Sequence, residues 1–204
     1  ELSKLNITLS EKQLNQLDKY YELLIDWNEK INLTRITEYE DVYLKHFYDS
    51  LTIAKVVDLS TKQTLCDVGT GAGFPGIPLA ILFPECHFTL IDSIGKKIRV
   101  ASEIAKAIGL TNVTCIQERA EVEKGKFDFV ISRAVMPLSD LVKLVRKNVS
   151  HNHQNAMPNG LMVLKGGNLQ GEIQPFQKYV ETTDISEIFK GEWFKEKFVV
   201  YLPL

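Results

Sequence analysis

Near the start of the chain, apolar residues recur every three or four positions, which is the spacing of an amphipathic helix. Ser10 and Gln13 form a capping box, so the first helix is predicted to begin at Ser10. Its apolar face is predicted to carry Leu14, Leu17, Tyr21, Leu24 and Ile31. A second helix is predicted from Tyr39 to Val57, with Tyr43, Phe47, Leu51 and Ala54 on one face. We expect both helices to pack against a larger unit.

After Thr61 the pattern changes to short apolar runs that alternate with helical ones. The runs typical of strands are Leu65 to Val68, Phe88 to Ile91, Val113 to Ile116, Phe127 to Ile131 and Leu161 to Leu164. Helical patterns run from Pro75 to Phe83, from Lys96 to Ile108 and from Pro137 to Val149. Strands that are apolar on both faces and joined by crossover helices indicate a doubly wound, mostly parallel α/β sheet.

The last part of the sequence is predicted to add an edge hairpin through Lys197 to Leu204, after a segment of mixed character from Pro175 to Phe189. The polar stretch from Asn148 to Asn159 predicts a surface loop. We therefore divide the chain into a helical extension, residues 1–60, and an α/β domain, residues 61–204.

Composition and charge exclude several classes of protein. Of the 204 residues, 45% are hydrophobic and 25% are charged, which is a globular balance. Apolar stretches such as Ile77 to Phe83 are shorter than the roughly 20 residues of a bilayer span, and no signal-peptide pattern is visible, so we expect a cytoplasmic protein without a membrane segment. Cys66, Cys86 and Cys115 are expected to be buried thiols rather than metal ligands. The net charge of −2 argues against non-specific coating of nucleic acid, but it leaves room for a local basic face.

The segment from Asp67 to Gly76, which reads Asp-Val-Gly-Thr-Gly-Ala-Gly-Phe-Pro-Gly, follows the first predicted strand. Glycines at alternate positions let the backbone turn sharply and approach a ligand closely. Pro75 suits the first turn of the next helix, whose free N–H groups can face polar atoms of a ligand. Since the segment lies at the carboxyl end of a strand in an α/β sheet, it is predicted to bind a nucleotide-like ligand.

Two cofactors are compatible with this loop. Gly71 to Gly76 satisfies the dinucleotide fingerprint G-x-G-x-x-G, which predicts NAD. Asp67 favours S-adenosylmethionine instead, because a carboxylate repels a pyrophosphate but can accept hydrogen bonds from an ammonium group. Asp92 ends the second strand, where an acidic side chain either binds the ribose hydroxyl groups of an adenosine or caps the next helix.

Further candidate ligand contacts follow the third and fourth strands. The backbone N–H groups of Ala120 and Glu121 are predicted to bind the adenine edge, and Phe74 offers an apolar wall near the cofactor. Arg133 ends the fourth strand and is either a pocket residue or a solvated cation.

Together these segments resemble the ribosomal RNA small-subunit methyltransferase G family, also called the glucose-inhibited division protein B family. The resemblance covers nearly the whole chain and lies in Trp27 to Thr34, His46 to Leu51, Asp67 to Pro78, Arg119 to Glu121, Ser132 to Val135, Pro137-Leu138 and Lys165-Gly166. It implies a class I methyltransferase fold with an N-terminal helical extension and S-adenosyl-L-methionine as cofactor. The implied reaction methylates N7 of a guanine in small-subunit ribosomal RNA, and the implied partner is that RNA or the small subunit, bound by a monomer without a metal.

The resemblance also implies roles for individual residues. The family's cofactor-binding positions are matched by Gly69, Phe74, Ala120, Glu121 and Arg133. Guanine N7 carries a lone pair and no proton, so the reaction needs no general base, and no catalytic residue is assigned. Lys45, which stands where the family usually has Arg, and Lys165 are candidates for contacts with RNA phosphates. His46 is either a core histidine satisfied by Asp49 or a residue that borders the RNA entrance.

Overall fold

A seven-stranded sheet organises the protein in the computed structural model, which describes residues 2–57, 59, 62–133, 136–154 and 156–204. Its strands are β1 Thr64–Val68, β2 His87–Asp92, β3 Val113–Gln117, β4 Phe129–Arg133, β5 Gly160–Gly166, β6 Glu181–Asp184 and β7 Lys197–Pro203. They lie in the order β3-β2-β1-β4-β5-β7-β6, and of these strands β7 alone runs in the direction opposite to the others. The chain order reverses between β1 and β4, and ligands of open α/β sheets bind at the carboxyl ends of the strands at such a point.

Helices cover both faces of the sheet. The α-helices are α1 Glu11–Ile31, α2 Tyr39–Val42, α3 Asp49–Leu51, α4 Gly76–Leu82, α5 Gly95–Ala107, α6 Leu138–Val145 and α7 Gln170–Ile173. Alternate strand residues face opposite sides, so that Leu65 packs in a larger core with α1, α4 and α5 while Cys66 packs in a smaller core with α6. Within the described residues, no helix has the length and apolar character needed to cross a bilayer.

The first helix begins where the capping box predicts. The Ser10 hydroxyl oxygen accepts a hydrogen bond from Gln13 N at 3.3 Å, and the Gln13 side-chain oxygen accepts one from Ser10 N at 2.9 Å. The predicted apolar face is wrong in detail, because Leu14 is 44% exposed and Tyr20, not Tyr21, is fully buried. Leu17 and Leu24 are buried as expected.

The second predicted helix is a composite segment, residues 39–55, in which a π-helix, Tyr43–Tyr48, separates α2 from α3 and a 3-10 turn, Thr52–Lys55, follows. A π-helix bonds i to i+5, so it shifts every later side chain around the axis. Phe47 and Leu51 are buried as predicted, whereas in the 3-10 turn Ile53 is fully buried and Ala54 only partly so.

The helical extension shares its core with the sheet. Tyr20 and Phe47 belong to the same hydrophobic cluster as Phe88 and Phe129 of the strands. The predicted division between residues 60 and 61 falls on positions outside the described residues, and it stays a prediction.

All five predicted parallel strands and the three crossover helices are present, which confirms the doubly wound prediction. The expected edge hairpin is also present, but β7 lies inside it, between β5 and β6, and β6 forms the edge. The predicted surface loop begins with Asn148, which is buried. Its side-chain amide donates hydrogen bonds to the carbonyl groups of Glu123 and Gly125 at 3.0 Å each, and these satisfy it in the interior. Asn155 of that loop lies outside the described residues.

We predict that Gly160→Ala destabilises the β5–β7 pairing. A Cβ at Gly160 would overlap the carbonyl oxygen of Leu202 and lie 2.9 Å from Pro203 Cα, so backbone must move. The free energy of unfolding, measured in urea, should fall by about 1–3 kcal/mol, the usual cost of overpacking. Gly171→Ala is the matched control, since its Cβ meets nothing within 4 Å. Equal stability of both variants would contradict this prediction.

Candidate functional site

The glycine loop, residues 69–76, connects β1 to α4 and turns through three left-handed glycines. Gly69, Gly71 and Gly73 have φ values of 73°, 60° and 107°, which L side chains rarely adopt. Beneath the loop, Asp67 Oδ2 accepts hydrogen bonds from Thr70 Oγ1 at 2.7 Å and from Gly76 N at 2.8 Å. One buried carboxylate therefore ties both ends of the loop together.

The structure corrects the expectation that Asp67 faces an ammonium group of a ligand. Asp67 is 0% exposed, and burial raises its pKa to about 7, although hydrogen bonds from Thr70 and Gly76 and the charge of Arg133 oppose the rise. Within the described residues its Oδ1 has no hydrogen-bond partner. Asp67 shapes the loop from below, so its influence on a ligand is indirect.

A first cavity of about 270 Å³ opens at the carboxyl ends of β1, β2 and β3. The structure brings four of the predicted cofactor residues together in its wall, namely Gly69, Asp92, Ala120 and Glu121. Apolar side chains, including Val68, Ile91, Met136 and Leu144, complete it. Phe74 and Arg133 do not line this cavity.

Asp92 joins the first cavity to the glycine loop. Its Oδ2 accepts from Gly71 N at 2.9 Å, and its Oδ1 accepts from Ile94 N at 2.8 Å, just before α5 begins. Each carboxylate oxygen has a second lone pair, and the residue lines the cavity at 9% exposure. Asp92 therefore makes a local turn contact and also presents acceptors to a ligand.

The first cavity fits an adenosine better than a dinucleotide. Ribose hydroxyl groups need an acceptor such as Asp92, and the apolar wall suits an adenine ring. The cavity also carries the carboxylates of Glu118 and Glu121 against the single cation Arg119. Three carboxylates disfavour a pyrophosphate, whereas a cofactor without phosphate meets no such repulsion.

A second cavity of about 220 Å³ lies between segment 39–55 and the carboxyl ends of β4 and β5. Charged and aromatic side chains dominate its wall, and they include Lys45, His46, Asp49, Arg133, Lys165, Trp193 and Lys197. Both cavities lie at the carboxyl ends of the strands, and β4 separates one from the other.

Arg133 lines the second cavity and also contacts Phe74 of the glycine loop. Its Nη1 lies 3.2 Å from His46 Nδ1 and 3.8 Å from Asp49 Oδ2, and its guanidinium carbon lies 5.0 Å above the Phe74 ring centroid. Phe74 is 5% exposed and stacks on Tyr20 and His46 at centroid distances of 5.2 and 4.7 Å. Arg133 is thus a pocket residue of the second cavity, with Phe74 buried beneath it, and the predicted contacts of both residues with the cofactor stay a prediction.

His46 is a neutral ring with a defined tautomer. A guanidinium only donates hydrogen bonds, so Nδ1 must accept from Arg133, which leaves the proton on Nε2. Nε2 lies 2.9 Å from Thr34 Oγ1, which accepts that proton's hydrogen bond. Burial, reinforced by the charge of Arg133, lowers the pKa of His46 to about 3. His46 borders the second cavity, and Thr34 and Arg133 satisfy it rather than Asp49.

Thr34 is held in turn by the end of the first helix. Asn28 Oδ1 accepts from Leu33 N at 2.6 Å and from Thr34 N at 2.8 Å, while Asn32 turns the chain with φ 49°. The motif from Trp27 to Thr34 therefore positions His46, and through it Arg133.

The two predicted RNA-binding lysines differ in their surroundings. Lys45 pairs with Asp41 at 2.7 Å and lies 5.4 Å from the Trp193 ring centroid. Lys165 is 8% exposed, and its ammonium group donates to Met136 O at 2.6 Å and Glu172 Oε2 at 2.7 Å. A phosphate contact by Lys165 stays a prediction, and it requires the pair with Glu172 to open.

Sequence reasoning missed Tyr20, which contacts the glycine loop, and Trp193 and Lys197, which line the second cavity. Tyr20 donates to Ala72 O at 2.8 Å and so supports the glycine loop from α1. Lys197 lies 4.4 Å from the Trp193 ring centroid, on the wall of the second cavity. Tyr20 and Tyr21 are adjacent tyrosines of one helix, and only their angular position around its axis distinguishes them. Trp193 and Lys197 lie in a segment with no distinctive sequence motif.

Known proteins match this chain along most of its length. A family model described as GidB: rRNA small subunit methyltransferase G matches residues 13–192. A curated relative from Bacteroides fragilis, named Ribosomal RNA small subunit methyltransferase G, is 53% identical over 196 residues and covers 96% of this chain and 95% of the relative. A relative of the same name from Bacteroides thetaiotaomicron is 55% identical over 193 residues, with coverages of 95% and 94%.

Solved structures share the fold. A variant of MtNAS in complex with S-adenosylmethionine has a TM-score of 0.59 at 12% identity, over 92% of this chain and 71% of that chain. A SAM dependent methyltransferase from Aquifex aeolicus has a TM-score of 0.53 at 21% identity, over 79% and 92%. These likenesses confirm the predicted class I methyltransferase fold.

We predict that His46 stays neutral, with its proton on Nε2, from about pH 5 to 8, where an ordinary histidine titrates. Its folded pKa of about 3 lies below the ordinary value of 6.5, so the unfolded chain binds a proton first as pH falls. The contribution of His46 to stability is therefore complete above pH 6.5 and is lost as pH falls towards 3. Ring ¹⁵N and ¹³C NMR shifts measure both properties, and a titration midpoint near 6.5 would exclude this arrangement.

Proposed function

This chain belongs to the ribosomal RNA small subunit methyltransferase G family, and from that premise we propose which residues hold its cofactor and its RNA. It is an S-adenosylmethionine-dependent methyltransferase that methylates N7 of a guanine in small-subunit ribosomal RNA. The observation that carries the assignment of residues is the first cavity, where the glycine loop meets the carboxylate of Asp92.

The first cavity holds the cofactor. Asp92 accepts hydrogen bonds from the ribose hydroxyl groups, and the backbone N–H groups of Ala120 and Glu121 bind the adenine edge. Gly69 leaves room for the close approach of the ligand. Phe74 acts from below, because it fixes the position of Arg133 at the border between the two cavities. The bound cofactor supplies a methyl group on a sulfonium.

The second cavity holds the target base. Guanine N7 offers a lone pair without a proton, so no side chain has to act as a base. Without a general base, the rate enhancement has to come from alignment of the base, exclusion of water and fixed charges. The residues of the cavity supply all three. Arg133 suits O6 of the guanine, since guanidinium and carbonyl groups are complementary.

The lysines in the wall of the second cavity bind phosphates of the RNA backbone. A-form RNA has a deep and narrow major groove, so a guanine that offers N7 has to lie in a loop or be extruded. Lys45 and Lys197 flank Trp193 and are suited to the phosphates on either side of that nucleotide. We propose that the protein acts as a monomer in the cytoplasm, on small-subunit RNA or the small subunit itself.

The cofactor assignment is tested by calorimetric titration with S-adenosylhomocysteine. Asp92→Ala should weaken binding by roughly 1–3 kcal/mol, the usual cost of losing hydrogen bonds to a charged acceptor. Asp26→Ala, which removes an exposed carboxylate on α1, is the control and should bind like the wild type. Binding of NAD in place of S-adenosylhomocysteine would refute the assignment, as would an unchanged affinity of Asp92→Ala.

The RNA assignment predicts a salt-dependent defect. Lys45→Ala should reduce methylation of unmodified small-subunit RNA, and the slope of log affinity against log salt should fall by about 1, because one phosphate contact is lost. Lys19→Ala is the matched control, since Lys19 also sits in a local ion pair, with Glu22 at 2.8 Å. Lys165→Ala should lower the salt slope further if the pair with Glu172 opens to RNA, and should act on stability alone if that pair stays closed. A wild-type slope for Lys45→Ala would place the RNA face elsewhere.

A further inference from the structure

Asp49 is a buried carboxylate in the wall of the second cavity, and the residues around it leave it short of donors. It is 6% exposed, and its nearest ionic partner, Arg133 Nη1, is 3.8 Å from Oδ2. That distance is long for a hydrogen bond, so Arg133 engages this carboxylate only weakly, and Asp49 lines the second cavity. A buried carboxylate in this state gains free energy when a ligand supplies donors.

The charges around Asp49 come from both walls of the second cavity. Burial raises the pKa of Asp49, and the positive charges of Arg133 and Lys197 oppose that rise. Each carboxylate oxygen has two lone pairs, so one long contact with Arg133 leaves acceptor positions of Asp49 for a ligand. Arg133 gives one N–H group to His46 and keeps others for a ligand.

Arg133 and Asp49 therefore present a donor beside an acceptor on one wall. The Watson–Crick edge of guanine has the complementary order, with the acceptor O6 beside the donor N1–H and then the 2-amino group. Adenine has the reverse order, with a 6-amino donor beside the acceptor N1. The pair thus matches guanine and opposes adenine with two unfavourable contacts.

We propose that Asp49 selects guanine by accepting hydrogen bonds from N1–H and the 2-amino group, while Arg133 donates to O6. This inference rests on the proposed function, because it needs a guanine in the second cavity. N7 lies on the other edge of the base and is left free to face the first cavity. Methylation at N7 makes the base cationic, so a carboxylate on the opposite edge also stabilises the charge that develops.

The test compares guanosine with inosine at the methylated position, after mass spectrometry has located it in the RNA. Inosine keeps O6 and N1–H but lacks the 2-amino group. Wild-type kcat/KM should fall about 10- to 100-fold on the inosine substrate, because a bond to a charged acceptor is lost. Asp49→Ala should lose activity on guanosine by at least that factor, and its preference for guanosine over inosine should fall towards one.

The controls separate this inference from the proposed function and from folding. Asp49→Ala should bind S-adenosylhomocysteine within about two-fold of the wild type, and Asp26→Ala should keep wild-type rates on both substrates. Equal wild-type activity on guanosine and inosine would overturn the inference without any variant, as would an undiminished preference in Asp49→Ala. A wild-type enzyme that binds S-adenosylhomocysteine but methylates no guanine would overturn the proposed function, and the role of Asp49 with it.

Discussion

The positive charge of Arg133 lies among groups from two other parts of the chain. Its guanidinium contacts His46 and Asp49 from the helical extension and covers Phe74 of the glycine loop. Because guanidinium only donates hydrogen bonds, this contact also fixes the tautomer of His46 and its bond to Thr34. The two cavities lie on either side of β4, so the position of this charge relates the first cavity to the second.

The fold was predictable because its strongest signals are local. Apolar runs located β1 to β5, and the glycine loop with Asp92 located the first cavity. The errors come from features that the periodicity of apolar residues does not encode. The π-helix and the 3-10 turn of segment 39–55 break the regular helical spacing, so that Ile53 rather than Ala54 is fully buried. The choice of Tyr20 over Tyr21 depended on which side of α1 the sheet would cover.

The functional side chains were harder to predict, because their roles depend on contacts between distant segments. Asp67 looked like a ligand contact and is instead the buried support of the loop. Lys165 is an ordinary cation in the sequence, and only the tertiary structure pairs it with Glu172. The helical extension is likewise part of the site, since Tyr20 supports the glycine loop and Thr34 orients His46.

The place of β7 between β5 and β6 has a consequence for synthesis on the ribosome. β6 leaves the ribosome before β7, yet it pairs only with β7. Until β7 emerges, β6 has no neighbour and β5, which is apolar on both faces, keeps one edge open. An open, apolar edge strand is a template for pairing with another chain. The nascent protein therefore exposes an apolar strand edge in the interval between the synthesis of β5 and the arrival of β7.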